Sequence, residues 1–167
     1  RGLGDVYKRQ IVGSGPAGCS AALYAARAGQ EVVVISMGMG ALSKAELIQN
    51  YYGFEEGITG AELYRQGVAG AKAVGAEFIT AEVVGLDYTG SLVVQTTEGD
   101  YPADAVILAT GTGRIAPKIA GLAEHEGRGV SYCATCDAFF YRGKTAAVLG
   151  SGEYALHEVQ ALSLIHI

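Results

Sequence analysis

Residues 11–36, from Ile11 to Ser36, read IVGSGPAGCSAALYAARAGQEVVVIS. A short apolar segment is followed by a glycine turn, by an alanine-rich run that stops at Gly29, and by the apolar run Val32 to Ile35. Apolar runs of strand length on either side of a helix-forming segment predict a strand, a helix and a second strand. The sequence therefore predicts a βαβ unit, the building block of α/β folds.

The turn between the first strand and the helix carries the pattern G-x-G-x-x-G. Its six residues are Gly13, Ser14, Gly15, Pro16, Ala17 and Gly18. In dinucleotide-binding folds the first glycine permits a tight turn, the second lets a pyrophosphate approach the backbone, and the third lets helix and strand pack closely. The phosphate charge then faces the helix N-terminus. A turn that binds no ligand is the alternative, but the flanking strand and helix favour a dinucleotide site.

One part of that pattern is missing at Ser36. Dinucleotide folds usually carry an Asp or Glu at the end of the second strand, where it binds a ribose hydroxyl. A serine there predicts that ribose is recognised more loosely or by other residues.

Further elements follow along the chain. A second helix is predicted with Thr59 as its N-cap and Gly75 as its terminator. Residues 77–97 have strand-like spacing with a turn at Thr89 and Gly90, which predicts an antiparallel meander.

Beyond the meander, the unbroken apolar run Ala105 to Ala109 predicts a strand buried on both faces. Residues 114–129 contain one proline, three glycines and five charged residues, and they are interpreted as a linker. A strand at Ala146 to Leu149, a glycine turn and a helix from about Glu153 then repeat the opening theme.

The second glycine turn has the form G-x-G-x-x-A. Its residues are Gly150, Ser151, Gly152, Glu153, Tyr154 and Ala155. The bulk of Tyr154 and the charge of Glu153 would crowd or repel a pyrophosphate. A second dinucleotide site and a turn that serves only packing are therefore both open.

Composition narrows the class of protein. Half of the 167 residues are hydrophobic and 17% are charged, a soluble globular composition rather than a disordered one. No apolar run reaches the roughly 18 residues of a membrane span, and no signal-peptide core is visible, so we expect a cytoplasmic protein without membrane contact. A net charge of −5 argues against nucleic acid as a partner.

Cys133 and Cys136 are two residues apart in SYCATCDAFFYRGK and precede Asp137. The other cysteine and the histidines are Cys19, His125, His157 and His166. None of these forms a second ligand pair for a zinc ion, and we expect no metal site. A structural disulfide would close only a tiny loop and would tend to be reduced in a cytoplasm. The pattern favours thiol–disulfide exchange, with Asp137 as a proton donor or acceptor.

Both termini are unusual. Lys8, Arg9 and Gln10 stand where a buried strand should be apolar, and the final SLIHI breaks the period of the last helix. Residues 1–10 and 163–167 resemble translated sequencing adapters, so we expect them to be non-native tails. A frayed but genuine terminus is the alternative.

Five segments, in this order, closely resemble the low-molecular-weight thioredoxin reductases. They are IVGSGPAGCSAALYAARAG, IQNYYGF, ILATGTG, GVSYCATCDAFFYRGK and VLGSGEYA. The resemblance implies a Rossmann-like FAD-binding domain with an antiparallel meander over residues 11–115. It also implies the start of a second, inserted Rossmann-like NAD(P)-binding domain with the CxxC over residues 116–162, and a homodimer.

The resemblance also implies residue roles. Electrons would pass from NADPH or NADH through FAD to the disulfide, and then to thioredoxin or a similar small disulfide protein. Cys136 would face the flavin, Cys133 would attack thioredoxin, and Asp137 would be the acid. The remaining residues implied at FAD, beyond the first glycine turn, are Gly40, Ala41, Leu42, Asn50, Val84, Ala109, Thr110 and Gly111. The linker from Arg114 to Gly121 would be a hinge.

Several readings stay open. The chain covers about half of a family member, and Glu153 and Tyr154 replace smaller or amide side chains of the family. A relative that uses ferredoxin or NADH as donor, or a different disulfide acceptor, is the first alternative. The second is a truncated, inactive fragment that at most binds nucleotide and does not hold FAD alone.

Overall fold

The computed structural model describes residues 9–88, 90–113 and 116–165. The chain divides after Gly113 into two compact units. The predicted turn residue Thr89, the first residue of the predicted hinge, Arg114, and the outermost parts of both predicted tails lie outside the described residues.

The first unit is built on a parallel sheet with the strand order β3-β2-β1-β7. Its strands are β1 (Arg9–Val12), β2 (Val32–Ser36), β3 (Glu77–Thr80) and β7 (Ala105–Leu108). Helix α1 (Pro16–Arg27) joins β1 to β2, and helix α2 (Gly60–Ala73) precedes β3. The predicted βαβ unit is confirmed.

An antiparallel meander follows β3. It consists of β4 (Val83–Tyr88), β5 (Leu92–Thr96) and β6 (Gly99–Ala103), in that order in the sheet. The predicted meander is therefore confirmed, and the α/β fold class is as expected.

The core lies on both faces of the parallel sheet, because successive strand residues point to opposite faces. Ile11 and Val34 pack with Ala22 and Ala71 of the two helices. Val12, Val33 and Ile35 pack with Val94 of the meander. The first unit thus has three layers: helices, parallel sheet and antiparallel sheet.

The ends of the two long helices follow local chemistry. The Thr59 hydroxyl accepts a hydrogen bond from the Glu62 N–H at 3.2 Å and caps α2. Gly29 and Gly75, which follow α1 and α2, have φ of +78° and +99°. Both glycines adopt the left-handed conformation that commonly ends helices, so these predicted boundaries are confirmed.

The prediction that Ala105 to Ala109 is buried on both faces is wrong. β7 is an edge strand that pairs with β1, and the side chains of Ile107 and Leu108 are 39% and 63% exposed. Only a strand with neighbours on both sides and layers above and below is buried throughout. The apolar run predicted the strand correctly but not its place in the sheet.

The strand β1 begins two residues earlier than expected, at Arg9. Arg9 lies 3.7 Å from a carboxylate oxygen of Asp104, and the fully buried Gln10 donates from Nε2 to the Pro102 carbonyl at 2.8 Å. These partners let the two polar residues join a buried strand, contrary to the expectation. Whether residues 1–10 are native stays a prediction.

The second unit contains the short helix α3 (Ala134–Asp137), a 3₁₀ turn (Ala138–Tyr141) and helix α4 (Glu153–Ile165). The predicted start of α4 is confirmed. The strand predicted at Ala146 to Leu149 does not form, since no described strand lies beside it to complete a hydrogen-bonded ladder. None of the described helices is long and apolar enough to cross a membrane.

Candidate functional site

The three glycines of the first turn have different surroundings. A Cβ on Gly13, whose φ is +106°, would lie 2.2 Å from the Ala109 carbonyl oxygen. A Cβ on Gly18 would lie 1.8 Å from the Gly13 carbonyl oxygen. A Cβ on Gly15 would meet no atom within 4 Å. The outer glycines are therefore required for packing, and the middle one faces open space.

The open space at Gly15 lies at the start of α1. Gly15 is the N-cap residue, Pro16 follows it, and no side chain caps the helix. The first N–H groups of a helix have no partner within the helix, and they favour an anion. A pyrophosphate fits this arrangement, so the residues present suit the cofactor that the turn predicts.

The predicted cofactor residues around this turn share one edge of the parallel sheet. Gly13, Ser36 and Ala109 stand at or just after the carboxyl ends of β1, β2 and β7. The Ala109 N–H donates to the Val12 carbonyl at 2.8 Å, which holds the end of β7 beside the turn. Ligands of open α/β sheets bind at this edge.

A small polar network fixes the Ser14 side chain beneath the turn. The Ser36 hydroxyl donates to Ser14 Oγ at 2.6 Å, and Ser14 donates to the Gly38 carbonyl at 3.2 Å. The Tyr64 hydroxyl, 3.1 Å away, is then the donor to Ser14. Ser36 therefore holds the Ser14 side chain by donating a hydrogen bond to it. An ionised Asp or Glu at this position has no hydrogen to donate.

A cavity of about 120 Å³ lies beside α1 and α2. Of the residues predicted at the cofactor, it is lined by Ser14, Gly15, Pro16 and Leu42. Sequence reasoning missed the lining residues Tyr51 and Tyr64. Tyr51 stood in the quoted segment IQNYYGF, which could have drawn attention to it.

Leu42 belongs, with Gly40 and Ala41, to a 3₁₀ helix (Gly40–Lys44). A Cβ added to Gly60 would lie 2.0 Å from the Leu42 carbonyl oxygen. The start of α2 therefore packs directly against this segment. Asn50 is exposed between the paired residues Ile48 and Ile58.

One further predicted residue, Val84, and the third cysteine, Cys19, also belong to the first unit. Val84 is exposed on β4, and it does not line the cavity. Cys19 is buried and donates from Sγ to the Ser14 carbonyl at 3.1 Å. Burial raises the pKa of the Cys19 thiol, which suits a packing residue rather than a nucleophile.

In the second unit, Cys133 and Cys136 form a disulfide with their Cα atoms 5.3 Å apart. Cys133 is the N-cap of α3, and its sulfur accepts the Cys136 N–H at 3.2 Å. Cys133 is half-buried and Cys136 is exposed. The two cysteines are thus joined by a disulfide, as they would be in a purely structural one. The exposed Cys136 makes the disulfide accessible to thiol–disulfide exchange.

Ser131 links the disulfide to Asp137. Its hydroxyl donates to Asp137 Oδ2 at 2.6 Å, and its oxygen accepts the Cys133 N–H at 3.2 Å. Sequence reasoning missed Ser131. Its position two residues before a cysteine is the only signal, because serine side chains often bond the backbone two residues on.

The second glycine turn leads into α4. A Cβ on Gly150 would lie 2.8 Å from Ala155 Cβ, while one on Gly152 would meet nothing within 4 Å. Glu153 is exposed in the first turn of α4. The Tyr154 hydroxyl donates to the Tyr132 carbonyl at 3.0 Å. This turn therefore combines a packing glycine, an open glycine and a tyrosine that contacts the CxxC segment.

An α/β fold with a dinucleotide-type turn and an accessible CxxC disulfide defines the class of nucleotide-dependent disulfide oxidoreductases. Residues 7–165 match the family described as pyridine nucleotide-disulphide oxidoreductase, and the chain belongs to that family. Membership implies flavin and nicotinamide cofactors.

Within that family, the chain is similar to individual thioredoxin reductases. The chain is 40% identical over 166 residues to thioredoxin reductase of Streptomyces coelicolor, covering 96% of this chain and 52% of that protein. It is 46% identical over 163 residues to the bifunctional thioredoxin reductase/thioredoxin of Mycobacterium leprae, covering 95% and 35% respectively.

The solved thioredoxin reductase of Streptococcus pyogenes superposes with a TM-score of 0.85 at 36% identity, over 95% of this chain and 53% of that one. The resemblance to thioredoxin reductases is confirmed. The chain spans about half the length of the first curated relative.

Proposed function

We propose that this chain carries the FAD-binding turn and the redox disulfide of a thioredoxin-reductase-like oxidoreductase. The observation that carries the proposal is the Cys133–Cys136 disulfide, which lies beside the Ser131–Asp137 hydrogen bond. A zinc site or a simple staple would need neither an accessible sulfur nor a carboxyl group nearby.

The chemistry at the pair needs two electrons and two protons, which convert the disulfide into two thiols. FAD, when bound, supplies the electron pair. Cys136 would receive it, Cys133 would be released as a thiolate, and Asp137 would supply one of the two protons, the other coming from solvent. The Cys133 thiolate then attacks a disulfide of the partner protein, and Cys136 resolves the mixed disulfide. The partner leaves with two thiols, and the Cys133–Cys136 disulfide is restored.

Specific residues would hold the cofactors. Gly13 to Gly18 would bind the FAD pyrophosphate, supported by the open space at Gly15 and the uncapped start of α1. The other residues assigned to the flavin are Ser36, Gly40, Ala41, Leu42, Asn50, Val84, Ala109, Thr110 and Gly111. The turn Gly150 to Ala155 would meet NADPH or NADH, supported by the open space at Gly152.

The partner we propose is thioredoxin or a similar small disulfide protein, and the assembly is a homodimer. The names of the relatives support the first assignment, since they are thioredoxin reductases. The assignment of residues 11–115 to an FAD domain and 116–162 to the start of an NAD(P) domain belongs to the same proposal, as do the hinge and a cytoplasmic location.

The decisive experiment uses the whole protein that contains this chain. Under anaerobic conditions, NADPH, NADH and reduced ferredoxin are added in turn while flavin bleaching is followed, which identifies the donor. Thioredoxin reduction is then measured for Cys136→Ser, which we expect to abolish it. Thr135→Ser, at the exposed position between the cysteines, should keep wild-type turnover. If Cys136→Ser still reduces thioredoxin, the redox assignment is wrong.

A second candidate function is nucleotide binding without catalysis by these 167 residues. The chain spans only about half of its first curated relative, which favours this alternative for the chain as it stands. We expect the purified chain to be colourless. A yellow chain that retains flavin after gel filtration would contradict this expectation.

A further inference from the structure

Two side chains of α4 contact the backbone on either side of Cys133. The Tyr154 hydroxyl donates to the Tyr132 carbonyl at 3.0 Å, and the Ala134 N–H donates to the Glu158 carboxylate. Tyr154 and Glu158 are four residues apart on α4, so they lie on the same face of the helix. One helix face therefore holds the residue before Cys133 and the residue after it.

We propose that Tyr154 and Glu158 are positioning residues that hold the Cys133 backbone where its sulfur meets Cys136. We call these two side chains the α4 clamp. The proposal rests on the proposed redox function of the cysteine pair. It assigns Glu158 a role that the sequence did not indicate. It also assigns Tyr154 a role besides the nucleotide contact proposed above for the second glycine turn.

The need for a clamp follows from the local structure. Disulfides form only within a narrow range of Cα separations, roughly 4.4–6.8 Å, and the observed value is 5.3 Å. The helix that carries the pair, α3, has four residues, too few for a helix that is stable alone. The backbone around Cys133 thus depends on contacts from outside α3, and α4 supplies two.

The two contacts differ in strength. The Glu158 carboxylate is charged and half-buried, and a charged acceptor strengthens a hydrogen bond. The Tyr154 contact joins two neutral groups. Loss of the first should therefore weaken the pairing of the thiols more than loss of the second.

The measurement is the equilibrium of the full 167-residue chain with glutathione. One glutathione disulfide oxidises the two thiols to the Cys133–Cys136 disulfide and becomes two glutathione molecules. Samples are quenched, denatured and tagged with a maleimide. The oxidised chain then takes one tag, on Cys19, and the reduced chain takes three, because the sequence has three cysteines. The equilibrium constant is the effective concentration of one thiol at the other.

Four variants separate the contributions. Glu158→Ala should lower the effective concentration about tenfold, and Tyr154→Phe about threefold. Glu158→Gln keeps an oxygen acceptor without the charge and should lie between wild type and Glu158→Ala. His157→Ala, an exposed neighbour on the same helix, is the matched control and should equal wild type. Circular dichroism of each variant shows whether its helices are intact.

The outcomes distinguish two failures. If wild type cycles reversibly and both Glu158→Ala and Tyr154→Phe stay within twofold of it, the α4 clamp is overturned and the redox function stands. If the wild-type pair forms no reversible disulfide at any glutathione ratio, both proposals are overturned. A graded loss with intact helices supports the clamp.

Discussion

The Ser131 hydroxyl donates a hydrogen bond to Asp137 Oδ2 at 2.6 Å, and this contact fixes the carboxyl group proposed as the proton donor. Ser131→Ala should lower the rate of thioredoxin reduction by the whole protein about threefold to tenfold, because one orienting hydrogen bond is lost. Asp137→Asn should lower it about a hundredfold, as loss of a general acid does. Stopped-flow measurement of disulfide reduction checks both.

Ser91→Ala, at an exposed position in the first unit, serves as the control for that experiment. A Ser131→Ala protein that turns over as fast as wild type would show that Asp137 needs no orientation.

Substitution by alanine should affect stability at Gly13 and flavin binding at Gly15. Gly13→Ala places a Cβ 2.2 Å from the Ala109 carbonyl oxygen at a positive φ, and should lower the free energy of unfolding by about 2–4 kcal/mol. Gly15→Ala meets no atom within 4 Å and should change stability by less than about 1 kcal/mol. It should instead weaken flavin binding in the whole protein. Urea unfolding and flavin titration measure the two effects, and equal stabilities would contradict the packing argument.

Gln10 carries a buried polar atom without a partner. Its Oε1 forms no hydrogen bond, although Nε2 donates to the Pro102 carbonyl. An unpaired buried acceptor costs about 1–3 kcal/mol. Gln10→Met, which keeps the shape, should therefore raise the free energy of unfolding by about 1 kcal/mol after the lost hydrogen bond is counted. Thermal and urea unfolding measure it, with the exposed Gln49→Met as the control; a clear loss of stability would refute the prediction.

Glu62 should titrate well below other glutamates. Hydrogen bonds from Arg65 and Gln66 lower the pKa of its carboxyl group to about 2 from an ordinary 4.5. Because the folded-state pKa is the lower one, the ionised Glu62 stabilises the folded chain at neutral pH. This contribution declines as the pH falls from about 4.5 through about 2.

Carbon-13 NMR of the side-chain carboxyl groups measures that pKa directly. Arg65→Met removes the main cause and should move the Glu62 pKa back toward 4.5. Arg27→Met, on α1, should leave it unchanged. If the Glu62 pKa is the same in Arg65→Met as in wild type, the ion pair with Arg65 is not formed in solution.

The features that the sequence predicted best depend on neighbouring residues. The Thr59 cap, the helix-ending Gly29 and the βαβ turn each follow from a few adjacent positions and from backbone geometry that few residues can adopt. Their physical causes are local, so a single sequence suffices.

The features that it predicted wrongly depend on distant partners. Whether the apolar run at β7 is buried depends on the sheet order, which places it at the edge. Residues 146–149 need a neighbouring strand before they can be one themselves. The contact between Glu158 and the backbone of Ala134 joins residues 24 positions apart, and no local sequence pattern predicts it.

The close approach of Gly13 to Ala109 has a consequence for the order of folding. In the sequence these residues stand near the two ends of the first unit. Contacts between residues far apart in the sequence form slowly, because a long loop must first close. The glycine turn is therefore completed only when β7 docks against β1. A peptide of Ile11 to Ser36 would contain every residue of the motif and still lack Ala109, against which the turn at Gly13 packs.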